Sequence, residues 1–121
     1  MSEKRHVTKR KSFKFAVRVV HLAKHLQTER REFVLSRQVL RSGTSIGANI
    51  EEAGAGQSRR DFKSKMSIAS KEARETLYWL RLLKETDILE QKLADSLIQD
   101  CDELVSLLTS IVKSTAEVNK A

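Results

Sequence analysis

Ser42-Gly43-Thr44-Ser45-Ile46-Gly47-Ala48-Asn49-Ile50-Glu51-Glu52-Ala53-Gly54-Ala55-Gly56 is the stretch on which the fold turns. Its glycines cost a helix roughly 1 kcal/mol each against Ala. Yet the chain has no proline, and Leu35, Val39, Ser42, Ile46, Asn49 and Ala53 recur at alternating spacings of four and three. That is the seam of a packed helix. Gly43 and Gly47, one turn apart, leave a groove into which a second helix can press, with Ala69 and Ala73 of a later helix as the expected small-residue complement. Asn49 falls on the seam, where a buried amide needs a partner. Glu52 shares nearly one face with Ala48 and Asn49.

Working outward, Phe33-Val34-Leu35 crosses the bundle end and Ser36 caps this helix, with Leu35 and Leu40 as a hydrophobic staple. Gly54 and Gly56 supply its stop. Ser58-Arg59-Arg60-Asp61 resembles a capping box and opens the next helix, whose seam is Phe62, Met66, Ala69, Ala73, Thr76, Leu80 and Leu83. Tyr78 and Trp79 add aromatic area. After a cap-like turn at Asp87-Ile88-Leu89-Glu90, a last helix follows Leu93, Leu97, Cys101, Leu104, Leu108 and Ile111, with a second row of Ile98, Val105 and Val112.

Upstream, Ser12 caps a first helix of Phe13 to Gln27 with two apolar rows. One is Phe13, Val17 and Val20; the other is Phe15, Val19, Leu22 and Leu26. A helix in a monomeric bundle needs one broad stripe, so the second row predicts contacts beyond the chain. The spacing predicts an all-α, up-down-up-down antiparallel four-helix bundle with an apolar face left over for a protein partner. The expected division is a basic flexible arm over 1–11, the bundle over 12–114 and a frayed tail over 115–121.

The 121 residues leave room for one domain, 32% charged and 40% hydrophobic. No apolar run approaches the ~20 residues of a membrane span, and no apolar signal segment follows the basic start. A single cysteine, Cys101, cannot form an internal disulfide, so the expected location is cytoplasmic. The net charge of +7 is uneven: residues 1–31 carry ten Lys/Arg against Glu3 and Glu29, whereas residues 87–121 carry seven Asp/Glu against three Lys. A cationic arm attracts phosphate backbones without reading sequence, and Lys4, Arg5, Lys9, Arg10, Lys11, Lys14 and Arg18 are the expected RNA or DNA contacts. The alternative is a solvated tail, or one that pairs with the acidic last helix of a neighbour.

Chemical motifs are sparse. His21 and His25, four apart, lack a third metal ligand. Neither Glu51 nor Glu52 has a His three residues on, which excludes the di-iron pattern of helical bundles. Asn49, Glu52, Lys71 and Arg74 read as a structural polar network, with Glu52 paired to Lys71 or Arg74 across helices two and three to set register. Cys101 reads as a small core residue and Trp79 as a packing anchor. The Arg18 to His25 spacing loosely resembles the motif of HEPN-type ribonucleases, which lies on a late helix in that family. No catalytic residue, metal or cofactor is expected.

Two motifs resemble a known family. The run Ser36-x-Gln38, Arg41-Ser42 and Ser45-Ile46-Gly47-Ala48-Asn49-Ile50-Glu51-Glu52-Ala53 is similar to the signature of 23S rRNA-intervening sequence proteins, and so is Asp61-Phe62 with Ile68-Ala69-x-Lys71-Glu72-Ala73-Arg74-Glu75-Thr76-x-Tyr78-Trp79-Leu80. The resemblance covers residues 12 to 113. It implies a four-helix bundle without established enzymatic activity. Through the related accessory proteins of diversity-generating retroelements, it also implies barrel-like homopentamers, nucleic-acid binding and a protein partner such as a reverse transcriptase.

Overall fold

Four helices carry the apolar periods: α1 (Glu3–Glu29), α2 (Leu35–Gly54), α3 (Arg59–Glu85) and α4 (Gln91–Lys120). The structure, a computed structural model, describes residues 2–55 and 58–120, with side chains as far as Thr115. There is no strand among the described residues. Each helix packs against its neighbours in sequence, and α1 closes the ring against α4, which gives the expected up-down-up-down bundle.

The core is aliphatic and continuous, with Phe15, Val19, Leu26, Ile46, Met66, Leu80, Leu83, Leu97, Leu104 and Leu108 fully buried. On α3 every residue of the expected seam from Met66 to Leu83 is buried, and on α4 the row from Leu97 to Ile111 is buried with Ala94 added. On α2 the seam is rotated slightly. Ser36, Gly43 and Ile50 are buried where Leu35 and Asn49 were expected, so the inward row keeps its seven-residue repeat but is turned by one residue about the helix axis.

The flexible arm of 1–11 is instead the first two turns and more of α1. Ser2, not Ser12, caps the helix: its Oγ accepts from the Arg5 N–H at 3.3 Å. Thr8 and Ser12 continue the buried row formed by Phe15 and Val19. Their hydroxyls donate to the carbonyls of Lys4 and Lys9 at 2.7 and 2.9 Å, so burial leaves them satisfied. Hydroxyls thus occupy core positions that a hydrophobic count passes over. At the other end α4 runs on through Lys120, past the expected end at 114, with Thr115 buried and donating to the Ile111 carbonyl at 2.9 Å. Ala121 lies outside the described residues.

Links are short. Glu32, rather than Ser36, caps α2: its carboxylate accepts from the N–H groups of Val34, Leu35 and Ser36 at 3.3, 3.0 and 2.8 Å. Ser36 is buried and its Oγ accepts from Gln27 Nε2 at 3.2 Å. Gly54 is the last residue of α2 and does not adopt a positive φ; Gly56 lies outside the described residues. Ser58 does cap α3, accepting from the Asp61 N–H at 3.1 Å. Asp87 takes the left-handed position (φ 59°) that ends α3, its N–H donating to the Lys84 carbonyl while Ile88 N–H reaches Leu83, both at 3.1 Å. Glu90 then caps α4 from Leu93 N–H at 3.0 Å.

The glycine groove takes α1 and not α3. A Cβ at Gly43 would lie 2.8 Å from both γ-carbons of Val19, and one at Gly47 would meet Ser12 at 3.5 Å. Ala69 and Ala73 are buried in the core, but α1 is the helix that presses onto these glycines.

Candidate nucleic-acid interface

The seven cations expected to face phosphate are spread around α1, and packing separates them. Three point along the α1–α4 seam. Lys4 Nζ donates to Ser110 Oγ at 2.7 Å, Lys11 Nζ to Glu103 Oε1 at 2.9 Å, and Arg18 to Asp100 Oδ2 at 2.6 Å and Ser96 Oγ at 3.0 Å. The basic helix therefore pairs with the acidic last helix of its own chain, where a neighbour's had been one alternative. Lys9 crosses to Glu51 of α2 at 3.4 Å. Arg5 lies over the Phe62 ring of α3, its guanidinium carbon 4.0 Å from the centroid. Arg10 and Lys14 are exposed and have no ion-pair partner among the described residues. These pairs are solvent-accessible and individually weak, so a polyanion can compete for the cations.

The expected polar network is rearranged. Glu52 pairs with Lys65 at 2.8 Å instead of Lys71 or Arg74. Because α2 and α3 run antiparallel, the end of α2 lies level with the first turns of α3, and Lys71 sits too far along. Lys71 is exposed, with no ion pair among the described residues, and Arg74 turns to α4, donating to Thr109 Oγ1 at 2.9 Å. Asn49 is half-buried and donates to the Ser45 carbonyl of its own helix at 2.8 Å. A second α2–α3 pairing centres on Arg41, which bonds Glu72 at 3.2 Å and also Glu75; Glu75 in turn accepts from Trp79 Nε1 at 3.0 Å. Glu72 and Glu75 stand in the family-like run of α3, and nothing in the sequence paired them with Arg41. Arg41 is brought to them by its neighbour, the buried Ser42, whose hydroxyl shares a 2.8 Å hydrogen bond with Thr76.

Arg18, His21 and His25 line one cleft of ≈ 310 Å³ between α1 and α4, floored by Leu22, Leu93 and Leu97. The Arg18 guanidinium there is held by Asp100 and Ser96, which leaves no free fork for a phosphate. No group of three or more His, Cys, Asp or Glu side chains gathers among the described residues. Cys101 is buried with its Sγ 3.3 Å from the Ala73 carbonyl, and burial, helped by Asp102 and Asp100, pushes its thiol up to about 12. Such a thiol stays protonated and unreactive. Trp79 is half-buried and meets Tyr78 edge-on at 5.2 Å, as a packing residue would. No helix among the described residues is long and apolar enough to cross a membrane.

The outward side of α1 leaves a row of apolar side chains uncovered. Phe13 is 69% exposed, Val17 43% and Val20 38%, while Phe15, Val19 and Leu22 behind them are buried. Both apolar rows thus exist as expected, and only one belongs to the bundle. Beside Phe13, a groove of ≈ 250 Å³ runs over Ala16, Gly47 and Ala48 between α1 and α2.

No curated protein matches this chain. A solved structure does, that of a protein of unknown function from the S23 ribosomal protein family of Bacteroides thetaiotaomicron VPI-5482. The two are 54% identical with a TM-score of 0.88, over 91% of this chain and 98% of that one. The sequence profile of the 23S rRNA-intervening sequence proteins matches residues 4–110. With its helices, seams and both motifs in place, the chain belongs to the 23S rRNA-intervening sequence protein family.

Proposed function

We propose that the chain is a non-catalytic, homo-oligomeric scaffold, of five copies by the resemblance noted above, that carries nucleic acid on its cationic surface. The observation behind this reading is the uncovered apolar face of α1. Phe13, Val17 and Val20 continue into the small-residue groove at Ala16, Gly47 and Ala48, a surface suited to a second copy. Arg10 and Lys14 flank that face, and the net charge of +7 favours a polyanion. In the cytoplasm, RNA is the abundant polyanion of this kind.

A second reading, a protein-interaction module that binds no nucleic acid, has its own support. Lys9, Lys11 and Arg18 are already paired with carboxylates, so less charge is available than the composition suggests.

Light scattering combined with titration of a fluorescent mixed-sequence RNA separates the two. The scaffold reading expects a mass of several chains and a log–log salt slope of about −0.7 per phosphate contacted. Phe13→Glu should lower the mass to that of one chain while the helical circular dichroism persists. A monomeric wild-type protein refutes the scaffold. An oligomer that ignores RNA at low salt leaves the interaction module standing.

A further inference from the structure

Along the α1–α4 seam, charge pairing among the described residues ends at Lys11 and Glu103. Arg18 faces Asp100 and Lys11 faces Glu103, but at the next position Lys4 meets Ser110, a neutral hydroxyl. Beyond it α4 offers Ser114. There the starts of α1 and α3 and the late turns of α4 border an open concavity of ≈ 460 Å³, within the size range of small-ligand sites, ~300–1,000 Å³. Lys4, Arg5 and Arg59 line it together with the hydroxyl-bearing Ser2 and Ser114, and no described lining residue is a carboxylate. The Arg5 guanidinium lies over the Phe62 ring, a contact that consumes none of its N–H donors. Arg59 is the first residue of α3 and Lys4 lies in the first turn of α1, so the positive ends of two helix dipoles add to the three cations.

We infer that this end cavity binds a phosphate monoester, the terminal phosphate of a nucleic-acid strand. The inference rests on the nucleic-acid reading above for its source of ligand. Its chemistry rests on the cavity alone. A terminal phosphate carries close to two negative charges at pH 7, because its second pKa is about 6, whereas an internal diester carries one. Three cations converging on one concavity favour the dianion, and a guanidinium binds two of its oxygens at once. A strand end enters the concave end of the bundle, while the outward face of α1 meets only phosphodiesters.

The test uses the full chain and three single-stranded RNAs of one sequence: 5′-phosphorylated, 3′-phosphorylated and hydroxyl-ended. A calorimetric titration with adenosine 5′-monophosphate, against adenosine, is run in parallel. One phosphorylated end should bind about tenfold more tightly than the hydroxyl-ended strand, the worth of one charge-assisted contact. Arg59→Ala, an exposed position, should erase that preference, whereas Arg10→Ala should weaken all three strands and leave the ratio unchanged. Adenosine monophosphate binding without any strand preference assigns the same site to a free nucleotide. Equal affinity for all three strands, with adenosine monophosphate no better than adenosine, overturns the phosphate site while the scaffold reading survives. If no strand binds but adenosine monophosphate does, the nucleic-acid reading falls and the site remains.

Discussion

At Gly43, α1 and α2 come so close that the methyl of an alanine would sit 2.8 Å from both γ-carbons of Val19. Val19 is fully buried and β-branched, so it has nowhere to turn. Gly43→Ala should therefore cost about 1–3 kcal/mol, the usual range for overpacking a core. Gly47→Ala meets only Ser12 at 3.5 Å, an ordinary contact. It should instead be neutral or stabilising by up to ~1 kcal/mol, since alanine is the better helix former. Urea unfolding of both variants checks the pair, and a costly Gly47→Ala beside a harmless Gly43→Ala would reverse the packing account. The sequence showed that a helix must approach these glycines. It pointed to the wrong helix, because Ala69 and Ala73 of α3 look like the natural small-residue complement, whereas α1 presses the larger Val19 onto Gly43.

At the scale of elements, the ends of helices were harder to read than their middles. The seams of α3 and α4 were legible because Met66 to Leu83 and Leu97 to Ile111 are apolar at every inward turn but Thr76. The start of α1 was not, because Thr8 and Ser12 fill inward positions with hydroxyls that bond their own helix. The start of α2 was misassigned for a related reason. Ser36 is a good cap by type, but it is buried, and Glu32 reaches three backbone N–H groups from outside the helix. Glu32→Ala should cost about 1–2 kcal/mol, as the loss of a full N-cap does. Ser36→Ala should leave hydrogen exchange in the first turn of α2 nearly unchanged. Native-state exchange of the Leu35 and Ser36 amides distinguishes the two.

The whole molecule is a bundle whose most central titratable group is a thiol. Cys101 is buried against the Ala73 carbonyl, and its pKa in the fold is raised from 9.0 to about 12. An acid whose folded pKa lies above its unfolded value gives stability that is complete below the unfolded pKa and lost as pH rises through the folded one. Between about pH 9 and 12, unfolding should then release the thiol proton and reduce stability by up to roughly 1.4 kcal/mol per pH unit. Cys101→Ala should flatten that part of the pH dependence, measured by urea unfolding at stepped pH. The same slope in both proteins would mean that other groups dominate.

By itself the sequence determined the number of helices, their order, the faces of α3 and α4 and the presence of a second apolar row on α1. A helical period and short links suffice for these, because each is a property of one segment. Only the tertiary structure decided where the cations of α1 point. Lys11, Arg18 and Lys9 find Glu103, Asp100 and Glu51, while Arg10 and Lys14 face outward and Lys4, Arg5 and Arg59 gather at one end. The physical reason is register. A side chain's partner depends on how far one helix has slid along another, and that is set by the packing of contacts such as Val19 on Gly43, far from the charges themselves.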